Sequence, residues 1–392
     1  MKIESISLKN FRAFRDVSIE DLPSMAVFVG ANGSGKTTLF DVFGFLRDSL
    51  IHNVRQALAR RGGFREVVSR NTDGPIEIEL KFRSKPADPR VTYSLSISLQ
   101  NSLPIVEREV LKYRRGSTGQ PWKFLDFRRG EGEAITNEEA YDAPDAEQKR
   151  EWQKLESPDI LAIKGLGQFE RFKVVSDFRK LIENWHVSDF HIADARPSQE
   201  AGYAEHLSSI GDNLSLVTQF LYEHHRAIFD QVLDKMARRV PGVERVDPVE
   251  TEDGRLVLKF QDGSFKDPFI ARYVSDGTIK MFAYLLLLHD PSPHPVLCVE
   301  EPENQLYPEL LGELAEEFRA YAERGGQVFI STHSPDFLNG ANLDEIFWLS
   351  KKNGYTQVTK AANDSQLAAL IREGDLPGVL WRQGLFTGAA LQ

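Results

Sequence analysis

Gly30-Ala31-Asn32-Gly33-Ser34-Gly35-Lys36-Thr37 is the stretch whose reading decides the fold. It carries glycine, four residues, glycine, lysine and threonine. An apolar strand-like run, residues 25–29, precedes it, and a helix-like segment, residues 39–50, follows. Strand, loop and helix in that order make a phosphate-binding loop. Its backbone N–H groups and the helix N-terminus hold phosphates, Lys36 neutralises β and γ charge, and Thr37 offers a hydroxyl to magnesium. A plain glycine turn before a helix would not explain Lys36 and Thr37 together. The expected ligands are ATP and Mg²⁺, held by Gly30, Asn32, Gly33, Ser34, Gly35, Lys36, Thr37 and Thr38.

Outward from the loop, the next cluster is Val296-Leu297-Cys298-Val299-Glu300-Glu301-Pro302-Glu303. A buried strand here delivers two carboxylates to its C-terminal end, where open α/β sheets place ligands. Successive strand residues face opposite ways, so the pair can divide two tasks: Glu300 for the metal, through water, and Glu301 as catalytic base. His333, in Ile330-Ser331-Thr332-His333-Ser334-Pro335, lies just past another buried strand, residues 327–330. Alone it reads as a loop histidine; with the other clusters it reads as a γ-phosphate sensor. Ser275-Asp276-Gly277 opens an apolar helix, which is either a plain N-cap or an anion site.

Between these motifs the pattern varies. Residues 3–8 and 18–19 read as a hairpin, and 76–80, 91–99 and 106–113 as strands of an antiparallel sheet within residues 75–127. The acidic stretch holding Glu131, Glu133, Glu138, Glu139, Asp142 and Asp145 reads as a mobile loop. The middle third reads as mostly helical: Gly211-Asp212 marks a stop and cap, and Leu214, Val217, Leu221, Ile228 and Val232 follow at helical spacing. His224-His225 face two directions there, which suits a structural role and not a metal site. A helix beginning near Pro308 carries Leu310, Leu311, Leu314, Phe318 and Tyr321. The expected divisions are residues 1–130, 131–240 (mostly helical), 241–350 and a tail, 351–392.

The chain has 392 residues, 41% of them hydrophobic, which is ample for a buried core. One cysteine, Cys298, excludes an internal disulfide framework or a multi-cysteine metal site. No signal peptide or apolar run of membrane-crossing length is visible, so the expected location is cytoplasmic, with no membrane partner. A net charge of -10 weighs against nonspecific polyanion binding. Arg60, Arg61, Arg65 and Arg70 form the one candidate basic groove, against the plainer reading of a solvated helix and turn.

In this order, phosphate loop, Ser275-Asp276-Gly277, Glu300-Glu301-Pro302 and His333, the chain resembles the ABC-type ATPase heads of the SMC, RecF and OLD-like families. Lys9-Asn10-Phe11-Arg12-Ala13-Phe14 is similar to the start of RecF and SMC heads, and residues 300–308 to the OLD-type Walker B and D-loop. Glu300 stands where aspartate is more usual, Asp276 where transporter signatures carry glycine, and Tyr307 where histidine or aspartate is frequent.

The resemblance implies an α/β ATPase head: a mixed sheet with flanking helices and an antiparallel β subdomain, carrying an inserted, mostly helical domain. It implies a homodimer or higher homo-oligomer, with ATP between the loop of one subunit and Ser275, Asp276 and Gly277 of another. Arg12 would lie near the phosphates, and Gln168 would link magnesium to the insertion. The segment after the loop lacks the heptads of a long SMC coiled coil, and nothing after His333 looks like a nuclease. The leading expectation is thus the ATPase and sensor subunit of a bacterial anti-phage system, with a separate effector nuclease or toxin. The alternatives are a RecF- or SMC-like DNA-repair or DNA-tethering ATPase, which leaves nucleic acid open as a partner, and the nucleotide-binding subunit of a transporter.

Overall fold

The computed structural model describes residues 2–83, 88, 90–114, 121–137, 149–190 and 192–386. The chain forms two units: Met1–Trp185 with Leu343–Glu373 and Gly384–Gln392, and His186–Asn342 with Gly374–Gln383. Among the described residues no helix is long and apolar enough to cross a membrane.

In the first unit an eight-stranded antiparallel sheet runs Phe14–Ile19, Lys2–Phe11, Ile76–Arg83, Val91–Gln100, Leu103–Arg114, Pro121–Arg128, Glu131–Ile135, Arg150–Lys154. The predicted hairpin is its edge, with Ile6 opposite Ile19 and Leu8 opposite Val17. Period-two patterning drives the rest: Ile76, Ile78, Leu80 and Phe82 are buried, while the residues between them are half-exposed. The helix Lys173–Glu183 covers the apolar face; Phe178 stacks on Phe82 at 4.6 Å and tilts against Tyr93 at 4.7 Å.

The sheet reaches further than the composition suggests. Glu131–Ile135, read as part of a mobile acidic loop, is a strand with Gly132, Ala134 and Ile135 buried. Its acids sit on the solvent face, where Glu131 pairs with Lys154 and Glu133 with Arg150 across the next strand. Counting charge concealed the alternation. Glu138, Glu139, Asp142 and Asp145 lie outside the described residues.

The phosphate-loop strand Met25–Gly30 is buried at every position and pairs in parallel with Ile346–Lys352, Leu349 opposite Gly30. Within the stretch read as a tail, Tyr355–Lys360 completes a hairpin on that strand. Lys36–Ile51, the predicted helix, follows the loop.

In the second unit His186–Ser188, Val296–Glu300 and Gln327–Thr332 pair in parallel, all feeding residues to their C-terminal ends. Gln199–Glu200, Arg255–Asp262 and Val243–Glu250 form an antiparallel set, with Phe269–Ile270 on Arg255–Asp262. The helix Asp276–Leu288 is buried at every position from Thr278 onward, as a core helix apolar all round must be. The helices Arg226–Arg239 and Leu310–Glu323 are tied together by Glu317, which takes Lys235 at 2.6 Å and Arg239 at 2.7 Å. His224 and His225 both lie against Phe220, each at 5.2 Å.

Candidate functional site

The phosphate loop is shaped by side chains that two of its glycines leave room for. A Cβ on Gly30 would stand 2.4 Å from Ser34 Oγ and 2.8 Å from the Leu349 carbonyl. Gly35, at φ 110°, caps the helix in a conformation that L side chains rarely adopt, and a Cβ there would stand 2.6 Å from Thr356 Oγ1. Thr356 is buried; its hydroxyl donates to the Ser34 carbonyl at 2.7 Å and its N–H to the Ala13 carbonyl at 2.8 Å. Lys36 is buried too, and its Nζ donates to the carbonyls of Gly30 at 2.7 Å and Ala31 at 3.4 Å.

Asn32, Gly33 and Thr37 are exposed, with Thr38 half-exposed behind them. Ser34 Oγ is buried with no hydrogen-bond partner among the described residues. A buried hydroxyl left over at the start of a helix, beside one ammonium, suits phosphate oxygens.

Arg12 is held beside this helix at φ 48°, its Nη1 2.9 Å from Asp41 Oδ2. Asp41, five residues past Lys36, also accepts from Arg61 Nε at 2.7 Å. Arg61 binds Asp48 at 2.7 Å, lies over Phe45 at 5.5 Å, and is only 10% exposed. This corrects both readings at Arg61, which is a largely covered clamp and neither a groove residue nor a solvated one. Arg60 and Arg70 remain exposed, paired with Asp48 and Glu66. Gln168 lies past the helix Ala162–Leu166, exposed, its amide donating to the Lys164 carbonyl at 3.3 Å. The N–H groups of Ala162 and Ile163 at the start of that helix donate to Glu109, whose carboxyl burial pushes up to about 7.

The second unit gathers the remaining candidates. Glu300 ends the strand Val296–Glu300, and Glu301 turns out of it at φ 42°, its N–H on the Ser331 carbonyl at 2.9 Å. Asn304 Nδ2 donates to Glu301 Oε2 at 3.1 Å, and His333 Nδ1 lies 3.5 Å from Oε1. Glu303 is the buried anchor of the histidine turn, accepting from the His333 N–H at 2.9 Å and the Thr332 hydroxyl at 2.7 Å.

Ser275 caps the helix Asp276–Leu288 through the Thr278 N–H at 3.3 Å, so the N-cap reading is right as far as it goes. Ser275 and Asp276 are nevertheless exposed. A Cβ on Gly277 would stand 2.8 Å from the Gln305 carbonyl, so glycine lets this turn pack on the D-loop. Asp276, Lys280, Glu300, Glu301 and Asn304 line one cleft of about 720 Å³, with Arg196 ion-paired to Asp276.

Lys280 was not among the predicted residues. It is buried, and burial pushes its ammonium down to about 8 in spite of Glu303, Asp189 and Glu301. A lone lysine in the run Ile279-Lys280-Met281-Phe282 was the available signal. Thr356 offered none: it meets Ser34 across 322 residues.

Residues 25–339 match a family described as "AAA domain, putative AbiEii toxin, Type IV TA system". Among curated proteins the chain is similar to the DNA replication and repair protein RecF of Heliobacterium modesticaldum, 28% identical over 137 residues, 32% of this chain and 37% of that protein. It is also similar to RecF of Clavibacter sepedonicus, 39% identical over 70 residues, 17% of each. The chain thus spans well under half the length of these relatives. Among solved structures it resembles the SmcHead bound to the C-winged helix domain of ScpA, at TM-score 0.56 and 16% identity over 92% of this chain and 98% of that one. A Smc head domain with an extended coiled coil, bound to the C-terminal domain of ScpA derived from Pyrococcus furiosus, gives 0.51 and 15% over 94% and 99%. The fold is that of an ABC-type ATPase head.

Proposed function

This chain belongs to the family described as "AAA domain, putative AbiEii toxin, Type IV TA system", and from that premise we propose that it binds ATP with Mg²⁺ and hydrolyses it as a dimeric switch. The observation that carries the proposal is the glycine-shaped loop with Lys36 buried inside it and Ser34 Oγ left over. Gly30, Asn32, Gly33, Ser34, Gly35, Lys36, Thr37 and Thr38 bind the phosphates. Thr37 and Glu300, with Gln168 as a further candidate, would hold Mg²⁺, which supplies charge neutralisation on the phosphate oxygens. Glu301 accepts a proton from the attacking water, oriented by Asn304 and His333.

Ser275, Asp276 and Gly277 serve a second copy of the chain; the exposure of Ser275 and Asp276 at a helix start supports that role. Arg12, tied to Asp41 on the loop helix, is a positioning residue. The wider role we infer is that of a cytoplasmic ATPase and sensor whose effector, a nuclease or toxin, is a separate protein in anti-phage defence; the family description is its support.

Sedimentation tests the switch. With ATP the chain should dimerise, Lys36→Ala should abolish binding, and Ser275→Arg should bind ATP yet stay monomeric. A dimer of undiminished stability in Ser275→Arg refutes the proposed shared site. The wider role fails if no neighbouring gene product co-purifies and phage sensitivity is unchanged by co-expression. The RecF matches favour one second reading, a DNA-stimulated ATPase. An ATPase rate unchanged by single- and double-stranded DNA removes it.

A further inference from the structure

Between the helix Asp276–Leu288 and the strand Val296–Glu300 the chain reads His289-Asp290-Pro291-Ser292-Pro293-His294-Pro295. Prolines at alternate positions fix φ, so Asp290 and His294 ride on a stiff turn. Each is also held from behind. The Ser292 N–H donates to Asp290 Oδ1 at 2.8 Å, which leaves Oδ2 facing His206 Nδ1 at 2.7 Å. Tyr321 donates its hydroxyl to the His294 carbonyl at 3.1 Å, and Asn213 donates to the His206 carbonyl at 2.9 Å. The His294 ring lies 5.1 Å from that of His206 and stacks on His186 at 4.6 Å.

The geometry points to a divalent transition-metal site, of the zinc class, formed by His206, Asp290 and His294. One ligand atom from each lies within 4.8 Å of the other two. Bonds of about 2.0–2.1 Å around a tetrahedral ion set ligand atoms roughly 3.3–3.5 Å apart, so small side-chain adjustments, with the exposed His206 ring the freest to move, would close the set. Two imidazoles and one carboxylate favour zinc over magnesium or calcium, which take oxygen.

A surface ion pair accounts for His206 and Asp290 alone; it does not require a second imidazole beside the same carboxylate on a turn fixed by three prolines. The Asp290 side chain is 5% exposed and that of His206 42%, so the group has an inner wall and an outer mouth, where water completes the coordination. Ligation through Nδ1 leaves the His206 proton on Nε2.

The position gives the site a consequence. Asp290 follows Leu288 by two residues and His294 precedes Val296 by two, so the ion clips the ends of helix and strand that lie away from Asp276 and Glu300. A helix of 13 residues is about 20 Å long, which separates this site from the acidic cleft. Bound metal would staple the turn to the loop before the helix Leu214–His224.

The test is a Co²⁺ titration of the purified chain in excess Mg²⁺, followed by visible absorption, with Zn²⁺ as competitor. One equivalent of Co²⁺, displaced by Zn²⁺, is expected, and Zn²⁺ should raise the Tm. His206→Ala and His294→Ala should each weaken binding by at least the ~10–100-fold seen when a supporting partner of a ligand is lost. Glu301→Gln should bind normally, and circular dichroism reports whether the variants fold. No binding by the native chain, binding as tight as native in either histidine variant, or loss of binding in Glu301→Gln overturns the site.

Discussion

The phosphate loop and the acidic cleft are built on opposite plans. In the loop, Lys36 and Ser34 are buried, Thr356 closes one side, and Gly30 and Gly35 have no room for a methyl group. In the cleft, the side chains of Glu301, His333 and Asp276 remain 34%, 49% and 51% exposed, held by one or two polar contacts each. A phosphate has a fixed shape, so its binding groups can be fixed in advance. Groups that act on a water, or that meet a second chain, must stay reachable. The loop should therefore answer to steric change and the cleft to change of charge.

The largest expected effect lies in the cleft. Glu301→Gln keeps the shape and the Asn304 contact but removes the proton acceptor, and hydrolysis should slow by ~10²–10⁴-fold while ATP binding persists. Single-turnover rates beside equilibrium binding measure both. Turnover at the native rate would break the proposed division, since the cleft would then have no charge-dependent role.

The next effect, on the order of 3 kcal/mol at each position, sharpens the contrast between the two units, because each buries one ill-matched charge. Glu109, in the first unit, is held up at about 7 against 4.5 by burial. Between those values the folded chain keeps a proton that the unfolded chain has released, so stability falls as pH rises through the window. Lys280, in the second unit, is held down at about 8 against 10.5. There the unfolded chain keeps the extra proton, so stability rises with pH through that window. Denaturant melts across both ranges should lose the fall in Glu109→Gln and the rise in Lys280→Met. Unchanged slopes in the two variants would mean that neither charge is truly desolvated.

What could be read in the sequence follows the same division. The loop, the strand of Glu300 and the helix of Ser275 announce themselves because each element has a fixed local pattern: glycines before Lys36, four apolar residues before a carboxylate, a hydroxyl at a helix start. The ABC-type fold came with them. Glu109 could not be read and Lys280 showed only as a lone lysine in an apolar run, because their environments are made by residues distant in sequence, Ala162 and Ile163 for one, Asp189 and Glu303 for the other. Glu131–Ile135 was misread because two acids in a row of alternating burial look like a loop when charge alone is counted. Arg61 was misjudged for a related reason: its partners Asp41 and Asp48 lie on a neighbouring helix that the local run of arginines does not reveal.

The smallest effect tests how tightly the loop is braced. Thr356→Val keeps the side-chain volume and deletes the donor to the Ser34 carbonyl, which should cost about 1 kcal/mol and weaken ATP binding a few-fold, whereas Thr356→Ser should restore both. Gly35→Ala would push a methyl group to within 2.6 Å of Thr356 Oγ1 and also strain the backbone at φ 110°. Combined with Thr356→Ala, the collision disappears and the backbone strain stays. Chemical melts of the four members of this cycle should show the double variant more stable than the sum of the single changes allows. Strict additivity would mean that Thr356 touches the loop without bracing it, and that the rigidity lies in the glycines alone.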